Sequence, residues 1–113
     1  LVVDDDPNIR MVLSDGLQAA GYEVAEAEDG MTALILVSER VPDLIILDLM
    51  MPTIDGVETL ERLRKTSDVP VIICSALGDS RIKDLTTRHE VSGQITKPFR
   101  IETVLSMVIS VLG

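Results

Sequence analysis

Apolar residues in this chain fall into two kinds of segment: short unbroken runs, and longer stretches where they recur every three or four positions. Unbroken runs of four to eight read as strands covered on both faces, and the three-to-four spacing reads as helix. The first run, residues 1–4, ends on Asp4, and Asp6-Pro7 then opens a helix with Asp6 as cap and Pro7 at its first position. Ile9, Val12, Leu13, Leu17 and Ala20 keep helical spacing until Gly21 stops the segment. Residues 22–27 predict a short strand whose Glu23 and Glu26 suit a sheet edge, and Asp29-Gly30 predicts a turn. Met31, Ala33, Leu34, Leu36 and Val37 make a second apolar helix face, closed before Pro42.

The stretch PDLIILDLMMPTIDGV, residues 42–57, organises the rest of the chain. Its apolar run predicts a third strand over 43–48 that ends abruptly on Asp48, before a loop carrying Pro52 and Gly56. Val57, Leu60 and Leu63 mark a third helix, with Glu61, Arg62, Arg64 and Lys65 on its solvated face. Residues 69–75 form another buried strand, 80–89 a polar fourth helix, 92–96 a fifth strand, and 101–112 a last helix after Lys97-Pro98-Phe99. Strand and helix alternating five times predict an α/β domain built on a parallel sheet with right-handed crossovers.

Composition narrows the class. A chain of 113 residues is one domain's worth, and 46% hydrophobic residues exclude disorder. No apolar run approaches the roughly 18 residues of a membrane span. The net charge of -9 lacks the basic stripe that nucleic acid demands, so no nucleic acid is expected on this segment. The lone Cys74 lies in an apolar run and reads as a small buried hydrophobe, and with no signal peptide visible the expected setting is cytoplasmic. The chain starts inside an apolar strand, which suggests a domain excised from a longer protein and slightly short at its first strand.

The chemistry gathers at one edge. Asp4 and Asp5 follow strand one, Asp48 ends strand three, Ser75 ends strand four, and Lys97 follows strand five. A parallel sheet brings these carboxyl ends together, where ligands of open α/β sheets bind. The plainer reading of Asp48 alone is a loop or helix cap. Three carboxylates in one place repel unless a cation joins them, and an oxygen-only set of small charge suits Mg²⁺ shared with a phosphate. Lys97 adds a point charge able to pair with Asp48 or a phosphoryl oxygen, and the Ser75 hydroxyl adds a donor.

The strings LVVDDDP, DLIILDLMMPTIDG, PVIICSA and ITKPF, in this order and near these spacings, make the whole chain resemble the receiver domain of bacterial two-component response regulators. The resemblance implies a flavodoxin-like, doubly wound five-stranded sheet of order 2-1-3-4-5 with five helices. It implies Asp48 as phosphoacceptor, Asp5 as a direct Mg²⁺ ligand, Asp4 as a ligand acting through water, and the Met50 backbone carbonyl completing the metal site. Ser75 matches the switch hydroxyl and Lys97 the site lysine, with Lys97-Pro98 resembling the family's cis peptide. The implied partner is a histidine kinase or phosphotransfer protein, and the implied result is a phosphorylation-activated change in partner binding.

Two departures stand out. Gln94 occupies the place of the usual aromatic three positions before the lysine, and Glu90-Val91 replaces a small pair, so a weaker or different response is expected on that face. Met50 and Leu77, two residues beyond Asp48 and Ser75, cannot orient an attacking water, which predicts a long-lived acyl phosphate. On the last helix, apolar residues cover more than a core stripe requires, and Met107, Val111 and Ile109 suggest a homodimer surface, against ordinary apolar exposure. His89 reads as a solvated helix end. Two other functions remain: a receiver-like docking module working without phosphorylation, and an aspartyl phosphohydrolase, which Met50 disfavours by standing where such enzymes want a second Asp.

Overall fold

Ile45, Ile46 and Leu47 are all buried, and so are Val71, Ile72, Ile73 and Cys74, which is the burial of strands covered on both faces. The computed structural model describes residues 1–51, 54–76 and 91–113. Its elements run β1 (Val2–Val3), α1 (Pro7–Ala19), β2 (Glu26–Ala27), α2 (Gly30–Glu39), β3 (Ile45–Asp48), α3 (Gly56–Arg64), β4 (Val71–Ala76), β5 (Gly93–Lys97) and α4 (Ile101–Leu112). All pairings are parallel and the sheet order is β2-β1-β3-β4-β5, the order the resemblance implies.

Alternation along the strands divides the interior in two. Val3, Ile45, Leu47, Val71 and Ile73 point into a layer closed by Ala33 and Val37 of α2 and by Leu60 and Leu63 of α3. Val2, Ile46, Ile72, Cys74 and Ile95 face Leu13 and Leu17 of α1 and Val104 and Val108 of α4. Among the described residues, α2 and α3 cover one face of the sheet and α1 and α4 the other, while Gln94 and Thr96 of β5 are exposed.

Three helices begin on an aspartate whose side chain accepts an early backbone N–H: Asp6 from Asn8, Asp29 from Thr32 and Asp55 from Glu58. Asp29-Gly30 is therefore a helix start, not a free turn. Among the described residues there are four helices instead of five, and the helix expected over 80–89 lies outside those residues.

Strand limits shift for reasons of pairing. β2 holds two residues in place of the expected 22–27, because its only neighbour, β1, offers two partners, Val2 for Glu26 and Val3 for Ala27. β4 and β5 each run one residue further than expected because Ala76 pairs with Lys97. Lys97 is thus the last residue of its strand.

The last helix is less surplus than its sequence suggests. Met107 and Val111 pack against the α1–α4 core, Met107 over Gly93, where a Cβ would stand 2.7 Å from its sulfur. Of the three residues expected at a partner surface, Met107, Val111 and Ile109, only Ile109 is exposed, and Leu112 is the other large apolar residue of α4 exposed beside it.

Leu47 is wholly buried at the centre of the sheet, one residue before Asp48. Leu47→Ala is expected to cost about 3 kcal/mol of unfolding free energy, read from urea denaturation followed by circular dichroism.

Candidate functional site

Register decides which side chains meet. Val3 pairs with Leu47, so Asp4 comes level with Asp48 at the carboxyl end of the sheet, and Asp48 pairs in turn with Cys74 of β4. Lys97 lies two residues beyond the Cys74–Ile95 pair and reaches back across β4. Its Nζ stands 3.1 Å from Asp4 Oδ2 and 3.3 Å from Asp48 Oδ1. Both carboxylate side chains are almost completely buried, at 2% and 3% exposure, while the lysine keeps 23%.

Each carboxylate has a second donor from its own loop. Asp4 Oδ1 accepts from the Asp6 N–H at 2.9 Å, and Asp48 Oδ1 accepts from the Met50 N–H at 3.2 Å. Asp48 Oδ2 accepts no hydrogen bond among the described residues. Among the described residues, the acceptor expected from sequence therefore has one oxygen anchored and one without a donor.

Burial raises the Asp48 carboxyl above the usual carboxylate range; the neighbouring Asp4 charge adds to that, and Lys97 opposes both. Burial works against the Lys97 charge, yet its hydrogen bond to Asp4 and the charges of Asp48 and Asp4 outweigh it and raise the ammonium pKa. Lys97 is consequently a firm cation. Burial pushes the Cys74 thiol up to about 12, which fits the inert hydrophobe read from sequence.

Asp5 is exposed and completes a cluster in which one oxygen each from Asp4, Asp5 and Asp48 lies within 4.8 Å of the others. Three oxygen donors at that spacing, with an open oxygen on Asp48, suit a hard cation. Ser75 is buried opposite Thr96, and its Oγ has no hydrogen-bond partner among the described residues. The Met50 side chain is 65% exposed. Lys97-Pro98 is cis, as expected. Gln94 is exposed on β5, and Glu90 and Leu77 lie outside the described residues.

Two contributors escape a reading of the sequence. A Cβ on Gly56 would collide with the Asp48 carbonyl oxygen and stand 2.6 Å from the Leu49 Cα, and the Gly56 N–H donates to Leu49 O at 3.0 Å. Only glycine lets the loop after Asp48 return this closely, so the turn residue of the TIDG string also fixes the backbone beneath the acidic site. Arg10 is the other: its Nη1 donates to the Asp4 carbonyl at 2.7 Å, a contact that no motif announces.

Residues 1–109 match the family described as the response regulator receiver domain. This chain belongs to that family. Among receiver domains of solved structure it resembles the chemotaxis protein CheY4 of Vibrio cholerae, with TM-score 0.91 and 34% identity over 98% of this chain and 95% of that one. The receiver domain of NtrX from Brucella abortus superposes with TM-score 0.90 at 28% identity, over 98% and 95% of the two chains. RpaA of Synechocystis sp., a DNA-binding dual master transcriptional regulator, is 40% identical over 99% of this chain and 48% of its own length. YrkP of Bacillus subtilis, described as an uncharacterized transcriptional regulatory protein, is 42% identical over 99% of this chain and 48% of its own. The chain thus spans about half the length of these curated relatives.

A carboxyl whose pKa is raised by folding binds its proton more tightly in the folded state, so its ionisation costs stability as pH climbs past the ordinary carboxylate range near about 4. Asp48→Asn removes that cost. With no divalent cation present, the variant is expected to unfold at higher urea concentration than the parent at pH 7, and the gap is expected to close toward about pH 3, checked by urea titrations across that range.

Proposed function

We propose that this receiver domain is a phosphorylation-activated signalling switch that takes a phosphoryl group onto Asp48 from a partner histidine kinase or phosphotransfer protein. The observation that carries this reading is the pair of buried carboxylates held by one ammonium, Asp48 Oδ2 accepting no hydrogen bond among the described residues. In this reading a carboxylate oxygen of Asp48 attacks phosphorus in line, a P–O bond forms, the P–N bond to the donor imidazole breaks, and the imidazole leaves with its electron pair. The product is an acyl phosphate. The domain assists this exchange and its reversal by water without turning over substrates as an enzyme does.

Asp5 and Asp48 would hold Mg²⁺ directly, with the Met50 backbone carbonyl, and Asp4 through water. Bound there, Mg²⁺ supplies charge for the phosphoryl oxygens, which is most of what a loose phosphoryl transition state can use. Lys97 already stands 3.3 Å from Asp48 and contributes a second positive charge on the side of β5. The Ser75 hydroxyl, buried with no partner among the described residues, has a donor to spend on the new oxygens, and drawing it toward them shifts an existing two-state equilibrium. The setting proposed is the cytoplasm. By likeness to the transcriptional regulators it matches, the output of a protein carrying this domain is proposed to be control of transcription.

Incubation with acetyl phosphate and Mg²⁺ is expected to produce a slower band on a phosphate-affinity gel, lost on chelation and abolished in Asp48→Asn. A band that persists in Asp48→Asn overturns the assignment of the acceptor; no band under any condition favours a docking module, and steady phosphate release in excess of protein favours a hydrolase.

The exposed thioether of Met50 gives an attacking water no hydrogen bond. Met50→Asn is expected to shorten the lifetime of the acyl phosphate, followed as loss of the slow band after removal of the donor. An unchanged lifetime removes Met50 from the account.

A further inference from the structure

Asp4 is held at every polar atom it has. Its N–H donates to Ala27 O at 3.1 Å, its Oδ1 accepts from the Asp6 N–H, its Oδ2 accepts from Lys97, and its carbonyl accepts from Arg10 Nη1 at 2.7 Å. Asp5, the next residue, is exposed, and its carboxylate takes part in no hydrogen bond or ion pair among the described residues. The direction in which Asp5 projects is therefore set by its backbone, and the peptide that precedes it is the one whose carbonyl Arg10 grips.

Arg10 is well placed for the task. It stands on the first turn of α1, where its own N–H donates to Asp6 O at 3.0 Å, and its Nε lies 3.4 Å from Glu26 Oε1 at the start of β2. Two separate nitrogens of one planar guanidinium thus join the end of β1 to β2, a task that suits the fork of arginine and not the point charge of lysine. The side chain keeps only 18% exposure, so the carbonyl contact is sheltered from water.

We infer that Arg10 is a positioning residue: by fixing the Asp4–Asp5 peptide it aims the Asp5 carboxylate at the cation shared with Asp48. This rests on the phosphoacceptor reading above. Charge alone gives the opposite expectation, because a guanidinium near a cation site repels the cation, and its removal would tighten binding. The sign of the effect separates the two.

The test is titration of the purified domain with Mg²⁺ alone, followed by calorimetry and by the backbone amide signals of Asp4 and Asp5. The parent is expected to bind, Arg10→Ala to bind roughly tenfold more weakly, at the low end for loss of a partner supporting a metal ligand, and Arg10→Lys to bind more weakly than the parent although its charge is kept. Thermal unfolding of each variant shows that the comparison is between folded proteins; if Arg10→Ala does not fold, Arg10→Lys decides. Equal or tighter binding in the folded variants overturns the inference while leaving the phosphoacceptor reading intact. Failure of the parent itself to bind Mg²⁺ overturns both.

Discussion

One ammonium shared by two buried carboxylates is the interaction on which this end of the molecule depends. Asp4 and Asp48 lie level at the carboxyl ends of adjacent strands with almost no solvent access, an arrangement that would be strongly unfavourable without a counter-charge. Lys97 supplies it from the far side of β4, and the backbone N–H groups of Asp6 and Met50 satisfy one further lone pair on each. The compensation is incomplete, as the raised Asp48 carboxyl records. One positive charge against two negative ones leaves a place for a further cation, with Asp5 standing at the solvent side of it.

The fold serves this arrangement by keeping its backbone fixed. Parallel pairing sets Asp4 beside Asp48, the β4–β5 register sets how far Lys97 must reach, and the close return of the chain at Gly56 pins the residue after the acceptor. Apolar layers on both faces make those positions hard to shift. Among the described residues, what is left free at this edge includes Asp48 Oδ2, the Ser75 hydroxyl and the exposed Met50.

Much of this was legible in the sequence because the informative residues sit at strand ends. Unbroken apolar runs such as 44–47 announce strands buried on both faces, and a polar residue directly after one is conspicuous. Helix starts were legible through Asp6-Pro7, whereas Asp29-Gly30 looked like a turn because the same residues favour caps and turns alike. Strand length was not legible: β2 stops where its neighbour runs out of partners, which no local pattern encodes. The amphipathic arc of α4 overstated the exposed surface, since the room that Gly93 leaves for Met107 comes from a different element. Arg10 was invisible for the same reason, because it acts on a main-chain carbonyl and binds Glu26 of a separate element, β2.

The brevity of β2 carries its own consequence. At that margin of the sheet the main chain offers only Glu26 and Ala27 as strand, and the outward carboxylate of Glu26 is engaged by Arg10. Another polypeptide seeking to add itself there finds too few amide rungs to climb and an ion pair beside them. Sheet extension between protomers along this flank is thereby disfavoured.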